Sequence, residues 1–183
     1  MLTIEIEHVN TEALFKLKEL GVEVRPDPEV LRTIQNKGKQ KQFYLENNLP
    51  TSPFVIVKDK DEIRQKVESG EISIPFVQKT CELGYDGKGV KVVNAEDDLN
   101  DLLEGESVVE DLVDIEKEIS VIVCQNGKGE IKCFPAVEMI FSSDANLVEY
   151  LVCPTDIDAN VAEKAYDLAV NTIKSYGLYG ILA

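Results

Sequence analysis

The sequence predicts an α+β protein: two mixed α/β lobes, preceded by the remnant of a doubly wound α/β unit. Three observations carry this reading. The first residues run strand, helix, strand. The stretch from Phe54 to Leu103 runs strand, helix, strand, strand, helix. From Ser107 onward strand runs dominate, followed by one long amphipathic helix and a last apolar strand.

Leu2 to Val9 alternates apolar and polar side chains, the period of a strand. Thr11 to Leu20 sets Ala13, Leu14, Leu17 and Leu20 on one helical face closed by Gly21, and Val22 to Val24 starts a second strand. Two strands and one helix have no sheet to join, so the start of the chain reads as cut from a larger domain. Short helices are expected over Glu29 to Gln35 and Lys39 to Asn47, and Pro50 and Pro53 mark a turn into a strand over Phe54 to Lys58. Asp59 to Glu68 is helical by its charge pattern, Ile74 to Lys79 and Val90 to Asn94 are strands, and Ala95 to Leu103 is an acidic helix stopped by Gly105. Ile119 to Cys124 and Ile131 to Ile140 flank Asn126-Gly127-Lys128-Gly129, which predicts one antiparallel hairpin. Asn146 to Val152 adds a strand. Ala159 to Tyr176 is a long helix, with Val161, Ala165, Leu168, Thr172 and Tyr176 recurring as an apolar stripe and Gly177 closing it. Tyr179 to Ala183 then opens an apolar strand with no polar tail, so the end of the chain reads as cut too.

With 183 residues and 44% hydrophobic content, the chain can bury a real core. Asp and Glu outnumber Lys and Arg 34 to 19, and a net charge of -15 opposes binding to a nucleic-acid backbone. A small phosphorylated ligand escapes that objection, because one lysine and a few backbone amides reverse the field locally. The four cysteines, Cys81, Cys124, Cys133 and Cys153, show no CxxC spacing and read as reduced packing residues of a cytosolic protein. No apolar run approaches the roughly 20 residues a bilayer span needs. A single histidine makes a histidine-based metal site or a Ser-His-Asp triad hard to build.

Chemistry concentrates in Lys79-Thr80-Cys81-Glu82-Leu83-Gly84-Tyr85-Asp86-Gly87-Lys88-Gly89-Val90, where a lysine ends an apolar strand and a glycine-rich loop leads into the next. Three glycines in six residues allow close backbone approach and present several N–H donors to phosphate oxygens, with Lys79 as the point charge. The alternative is a hairpin connection with a solvated lysine. The spacing matches neither a P-loop nor a Rossmann loop.

The segment PFVQKTCELGYDGKGV resembles the strand lysine and lid of the ATP-grasp enzymes, and GYDGKG is similar to the lid of their 5-(carboxyamino)imidazole ribonucleotide synthase branch. Four further stretches fit that branch in order: Thr3 to Glu7, Asn36 to Lys41, Val109 to Val113 with Glu116 to Ser120, and Pro135 to Phe141. The resemblance spans the whole chain. It implies an ATP-grasp fold truncated at both ends, with residues 1–36 as remnant and linker, 37–106 as the first lobe with its lid, and 107–183 as an incomplete second lobe.

The resemblance also assigns roles. Lys37 and Lys79 match basic residues that reach the nucleotide phosphates, and Gly84, Tyr85, Asp86, Gly87, Lys88, Gly89 and Val90 match the lid. Glu110, Asp111, Leu112 and Val113 match the hinge whose backbone reads the adenine edge, and Glu118 matches the acceptor of the ribose hydroxyls. On residue type alone, Glu118 reads equally well as an exposed strand-end acid. Phe141 stands where many relatives carry histidine, a departure that puts that nucleotide contact aside.

The implied reaction joins bicarbonate to the γ-phosphoryl group of ATP as carboxyphosphate, then carboxylates the amine of aminoimidazole ribonucleotide. Mg2+ is implied as well, with acidic ligands expected beyond Ala183, so the chain alone is expected to be inactive. A cytoplasmic homodimer without nucleic-acid or membrane partners completes the expectation. A biotin carboxylase-like ATP-grasp ligase and a non-catalytic binding or dimerisation module are the alternatives.

Overall fold

The structure is a computed structural model that describes residues 1–82, 84, 89–142 and 147–183. Strand β1 (Leu2–Thr3), helix α1 (Thr11–Glu19) and strand β2 (Val24–Arg25) form the first unit, with β1 and β2 parallel. The strand expected over Leu2 to Val9 therefore stops after Thr3. Its partner β2 is two residues long and, among the described residues, no other strand pairs with it; Ile6 is exposed. Leu14 of α1 packs with Val24 and Leu31, whereas Leu20, expected on that face, is the exposed C-cap.

Helices α2 (Pro28–Ile34) and α3 (Lys37–Glu46) follow, each started by a side chain that accepts a backbone N–H: Asp27 from Glu29, and Asn36 from Lys39. Strand β3 (Phe54–Val57), helix α4 (Lys60–Glu68), strands β4 (Phe76–Thr80) and β5 (Val90–Val93), a 3-10 turn over Glu96–Asp101 and strand β6 (Ser107–Asp111) build an antiparallel sheet of order β3-β6-β4-β5. The acidic helix expected over Ala95 to Leu103 is that shorter turn. Its first residues are all acidic at the end where its own N–H groups point, and Asp98 bonds back to Asn94 and Ala95.

One face of this sheet carries Val57, Phe76, Val93 and Val109, which close a core with Ile63 of α4, Ile72 and Leu102. Register puts Phe54, Ile56, Val77, Lys79, Val108 and Glu110 on the other face, partly covered by α3. Gln78, fully buried on the core face, exchanges hydrogen bonds with the Leu103 backbone and bonds to Ser107, and so fixes the strand that presents Lys79.

The single hairpin expected around Asn126 is two ladders. Strand β7 (Glu118–Ser120) and β8 (Val123–Gln125) share one run, β9 (Ile131–Cys133) and β10 (Val137–Phe141) the other; β8 pairs with β9, and β7 with β10. The break falls at Phe134 and Pro135, and proline has no N–H for a ladder. Strand β11 (Val148–Val152) extends the β7 ladder to a three-stranded sheet. Helix α5 (Ala159–Tyr176) packs on β8 and β9, and strand β12 (Gly180–Leu182) pairs with β8.

Helix α5 has the expected bounds, capped by Asp158 and by Gly177 in the left-handed conformation. Its buried residues are Ala169 and Ile173, packed on Val123 and Leu178. Val161 and Leu168, expected in the stripe, are exposed. They line a cleft of about 670 Å3 against Leu49, Pro50 and Ile119. Cys81 is buried, Cys124 and Cys133 are half-buried, and Cys153 is exposed rather than packed. No helix among the described residues is long and apolar enough to cross a membrane.

Candidate nucleotide site at the lid base

Strand β4 ends at Thr80 and β5 begins at Val90, so Lys79 and the two roots of the glycine-rich loop come together. The Thr80 N–H donates to the Gly89 carbonyl at 2.9 Å, and the Cys81 N–H to the Glu106 carbonyl at 2.9 Å. Gly89 has φ +78, and a Cβ there would press on the Thr80 hydroxyl and lie 2.9 Å from the Gly84 Cα. Only glycine fits this closure. Burial, then the Glu106 carboxylate, pushes the Cys81 thiol up to about 11, so this thiol packs and does not react.

Helix α3 reaches the same place from below. The Lys37 N–H donates to the Cys81 carbonyl at 2.9 Å, and Lys37 Nζ lies 3.5 Å from the Gly84 carbonyl. Asn36 caps the helix through one amide atom and donates through the other to Glu82 at 3.1 Å.

The strongest charged cluster surrounds Glu110. Its side chain is 8% exposed, with Lys41 Nζ 3.0 Å from Oε1, Lys79 Nζ 3.0 Å from Oε2, and the Ser52 hydroxyl donating to Oε2 at 3.1 Å. Burial alone would push the Glu110 carboxyl up. The hydrogen bonds and charges of Lys79 and then Lys41 outweigh it and hold the group below the ordinary glutamate value. The carboxylate is thus ionised and enclosed by two cations.

These positions place most of the expected residues, though not all in one contact network. Lys37, Gly84, Gly89 and Val90 meet at the lid base, Lys79 stands beside them, and Glu110 joins Lys79 by its side chain. Tyr85, Asp86, Gly87 and Lys88 lie outside the described residues. Asp111, Leu112 and Val113 form the exposed link between the two sheets, with the Asp111 N–H donating to the Pro53 carbonyl at 3.2 Å. Glu118 is exposed on β7 opposite Met139, in a different sheet from Lys79. Phe141 ends β10, half-buried, opposite Val148. The 670 Å3 cleft along α5 is lined by none of these residues.

Sequence reasoning missed Lys41 and Ser52. Lys41 follows Lys37 and Lys39 at spacings that look like a solvated helix face, and its partner Glu110 is remote in sequence. Glu110, an acid directly after Val108 and Val109 in an apolar strand run, was the available signal that a cation must meet it; the polar run around Lys41 carried none.

A four-stranded sheet that presents Lys79 beside the closed roots of a glycine-rich segment, continued through the exposed residues 111–113 into further strands, is the architecture of a nucleotide-grasping protein. Residues 42–183 match the model of the ATP-grasp domain, and the chain belongs to the ATP-grasp family. Within that family it is similar to the N5-carboxyaminoimidazole ribonucleotide synthase of Bacillus subtilis, 34% identical over 187 residues, 100% of this chain and 48% of the relative. Among solved structures, the N5-carboxyaminoimidazole ribonucleotide synthetase of Thermotoga maritima is 32% identical with a TM-score of 0.83, covering 98% of this chain and 45% of that one. The carboxyaminoimidazole ribonucleotide synthase of Aspergillus clavatus complexed with ATP is 26% identical, TM-score 0.84, covering 98% and 47%. The expected fold and the expected kinship with these synthases are both borne out. The chain spans about half the length of the N5-carboxyaminoimidazole ribonucleotide synthases it matches and about a third of the longer phosphoribosylaminoimidazole carboxylases.

Proposed function

We propose that the chain is the ATP-gripping part of a purine-synthesis ligase that uses ATP and bicarbonate to carboxylate 5-aminoimidazole ribonucleotide. The observation that carries this reading is the juxtaposition of Lys79 and the Gly89 closure at one end of strand β4, in a chain similar to the synthases along its whole length. Residues 37–106 act as the lobe that holds the phosphates, residues 107–183 as the lobe that completes the cleft, and residues 1–36 as the remnant of a preceding domain.

Lys79 and Lys37 supply positive charge to the triphosphate, while the glycine-rich loop supplies N–H donors and excludes water. Backbone groups of Glu110 to Val113 read the adenine edge, and Glu118, already exposed to solvent, accepts from the ribose hydroxyls. In the reaction a bicarbonate oxygen attacks the γ-phosphorus and ADP leaves. The amine of the ribonucleotide then attacks the carboxyl carbon of carboxyphosphate and phosphate leaves. Magnesium would relieve the phosphate charge. Among the described residues no cluster of three His, Cys, Asp or Glu side chains fits such an ion. The working form is taken as a cytosolic homodimer.

Isothermal titration of the chain with ATP tests the phosphate grip. Lys79→Ala is expected to weaken binding by about tenfold or more, in line with loss of a charge-assisted contact of roughly 1.5–3 kcal/mol. Equal heats for both proteins would remove Lys79 from the phosphate site.

A further inference from the structure

The cluster below the lid holds one more cation than the phosphate grip uses, and its two lysines are not equivalent. Lys41 is 13% exposed and Lys79 is 32% exposed. Lys41 is tied to three polar neighbours: Glu110 Oε1 at 3.0 Å, the Thr51 hydroxyl at 2.5 Å and the Ser52 hydroxyl at 3.3 Å. Its ammonium also lies 5.6 Å from the centre of the Phe54 ring. Among the described residues the Lys79 ammonium bonds only to Glu110. Lys79 projects from the strand that runs into the lid, whereas Lys41 sits on the opposite side of the carboxylate, on the helix beneath it.

When Lys79 turns to nucleotide phosphates it must leave Glu110. If Lys79 were its sole cation, the 8% exposed carboxylate would then be a stranded buried charge, and its cost would be subtracted from ligand affinity. We infer that Lys41 is a positioning residue that serves as the resident counter-cation of Glu110, so that Lys79 transfers from carboxylate to phosphate without leaving an unpaired buried charge. In the empty site Glu110 holds Lys79 in place. In the filled site Lys41, with Ser52, neutralises Glu110 alone. This role rests on the nucleotide reading above and adds a residue that never touches the ligand.

The test titrates the 183-residue chain and its Lys41→Met variant with ATP and with adenosine, then repeats both in a Glu110→Gln background. Lys41→Met is expected to weaken ATP binding by about tenfold or more while changing adenosine binding by less than about twofold, because adenosine has no phosphate to draw Lys79 away. In the Glu110→Gln background the same substitution is expected to change ATP binding by less than about twofold, since no carboxylate charge remains to be neutralised. Lys41→Arg, which keeps the charge, is expected to bind ATP within about threefold of the unmodified chain, and supplies the comparison with the charge-free double variant if Lys41→Met does not fold. ATP binding unchanged in Lys41→Met overturns the inference, as do equal losses for ATP and adenosine or a loss that persists with Glu110→Gln; each would leave the nucleotide reading standing. Absence of ATP binding by the unmodified chain overturns both.

Discussion

At the scale of single residues, the site depends on side chains that local sequence describes unevenly. Gly89 was legible as a lid glycine, but its reason is steric and appears only in three dimensions. A Cβ would meet the Thr80 hydroxyl and the Gly84 backbone, on top of φ +78. Gly70 has nearly the same φ, +79, with open space around it. Gly70→Ala is therefore expected to cost about 1–3 kcal/mol from backbone strain alone, and Gly89→Ala to cost at least about 1 kcal/mol more in urea unfolding and to weaken ATP binding as well. Equal unfolding costs would mean that the closure yields easily. Lys79 was legible because it abuts the glycine-rich segment. Lys41 was not, since an ion pair across the fold leaves no periodic trace in either partner's neighbourhood.

At the scale of elements, boundaries were more legible than faces. Caps are local: Asp158 and Gly177 delimit α5 in sequence as they do in the structure. The buried face of that helix is decided by what it packs on, and two apolar stripes competed. Ala169 and Ile173 won because β8 offers Val123 and Leu178 lies next to them. The strand expected over Ile131 to Ile140 was broken at Phe134 and Pro135, where proline has no N–H for a ladder and the chain passes from one sheet to another. Helix α3 gains a role that its composition hides: besides Lys37 and Lys41 it carries Phe43, which stacks on Tyr176 of α5 with ring centres 4.0 Å apart and planes 5° from parallel. Burial pushes the Tyr44 and Tyr176 phenols up, and the buried Tyr176 hydroxyl forms no well-aligned hydrogen bond, although Tyr44 and Gln40 are its near polar neighbours. Thermal and urea unfolding should therefore separate two variants. Phe43→Ala is expected to cost about 2–4 kcal/mol through the lost stack and the space it leaves, and Tyr176→Phe to stay within about 0.5 kcal/mol of the parent. A large cost for Tyr176→Phe would show that its hydroxyl is bonded after all.

At the scale of the whole molecule, long-range and local electrostatics oppose each other. A net charge of -15 repels a polyphosphate at a distance, while Lys37 and Lys79 attract it at contact. Salt screens the distant term first, with a Debye length of about 30 Å at 0.01 M and about 10 Å at 0.1 M. The stopped-flow association rate constant of ATP is accordingly expected to rise over that range, by about twofold or more, where a basic protein would show a fall. A decrease would mean that the site's own field outweighs the global charge even before contact. The α+β class, the order of elements and the family kinship were legible because each rests on many residues at once; the register that turns Lys79, Val108 and Glu110 to a common side was not, because strand pairing is set between segments distant in sequence. Helix α3 touches the lid root at Lys37 and the end of α5 at Phe43, six residues apart, a rise of about 9 Å along the helix axis. The helix thereby works as a ruler: it sets the spacing between the lid root and the end of α5, and neither can slide along its length without breaking an anchorage.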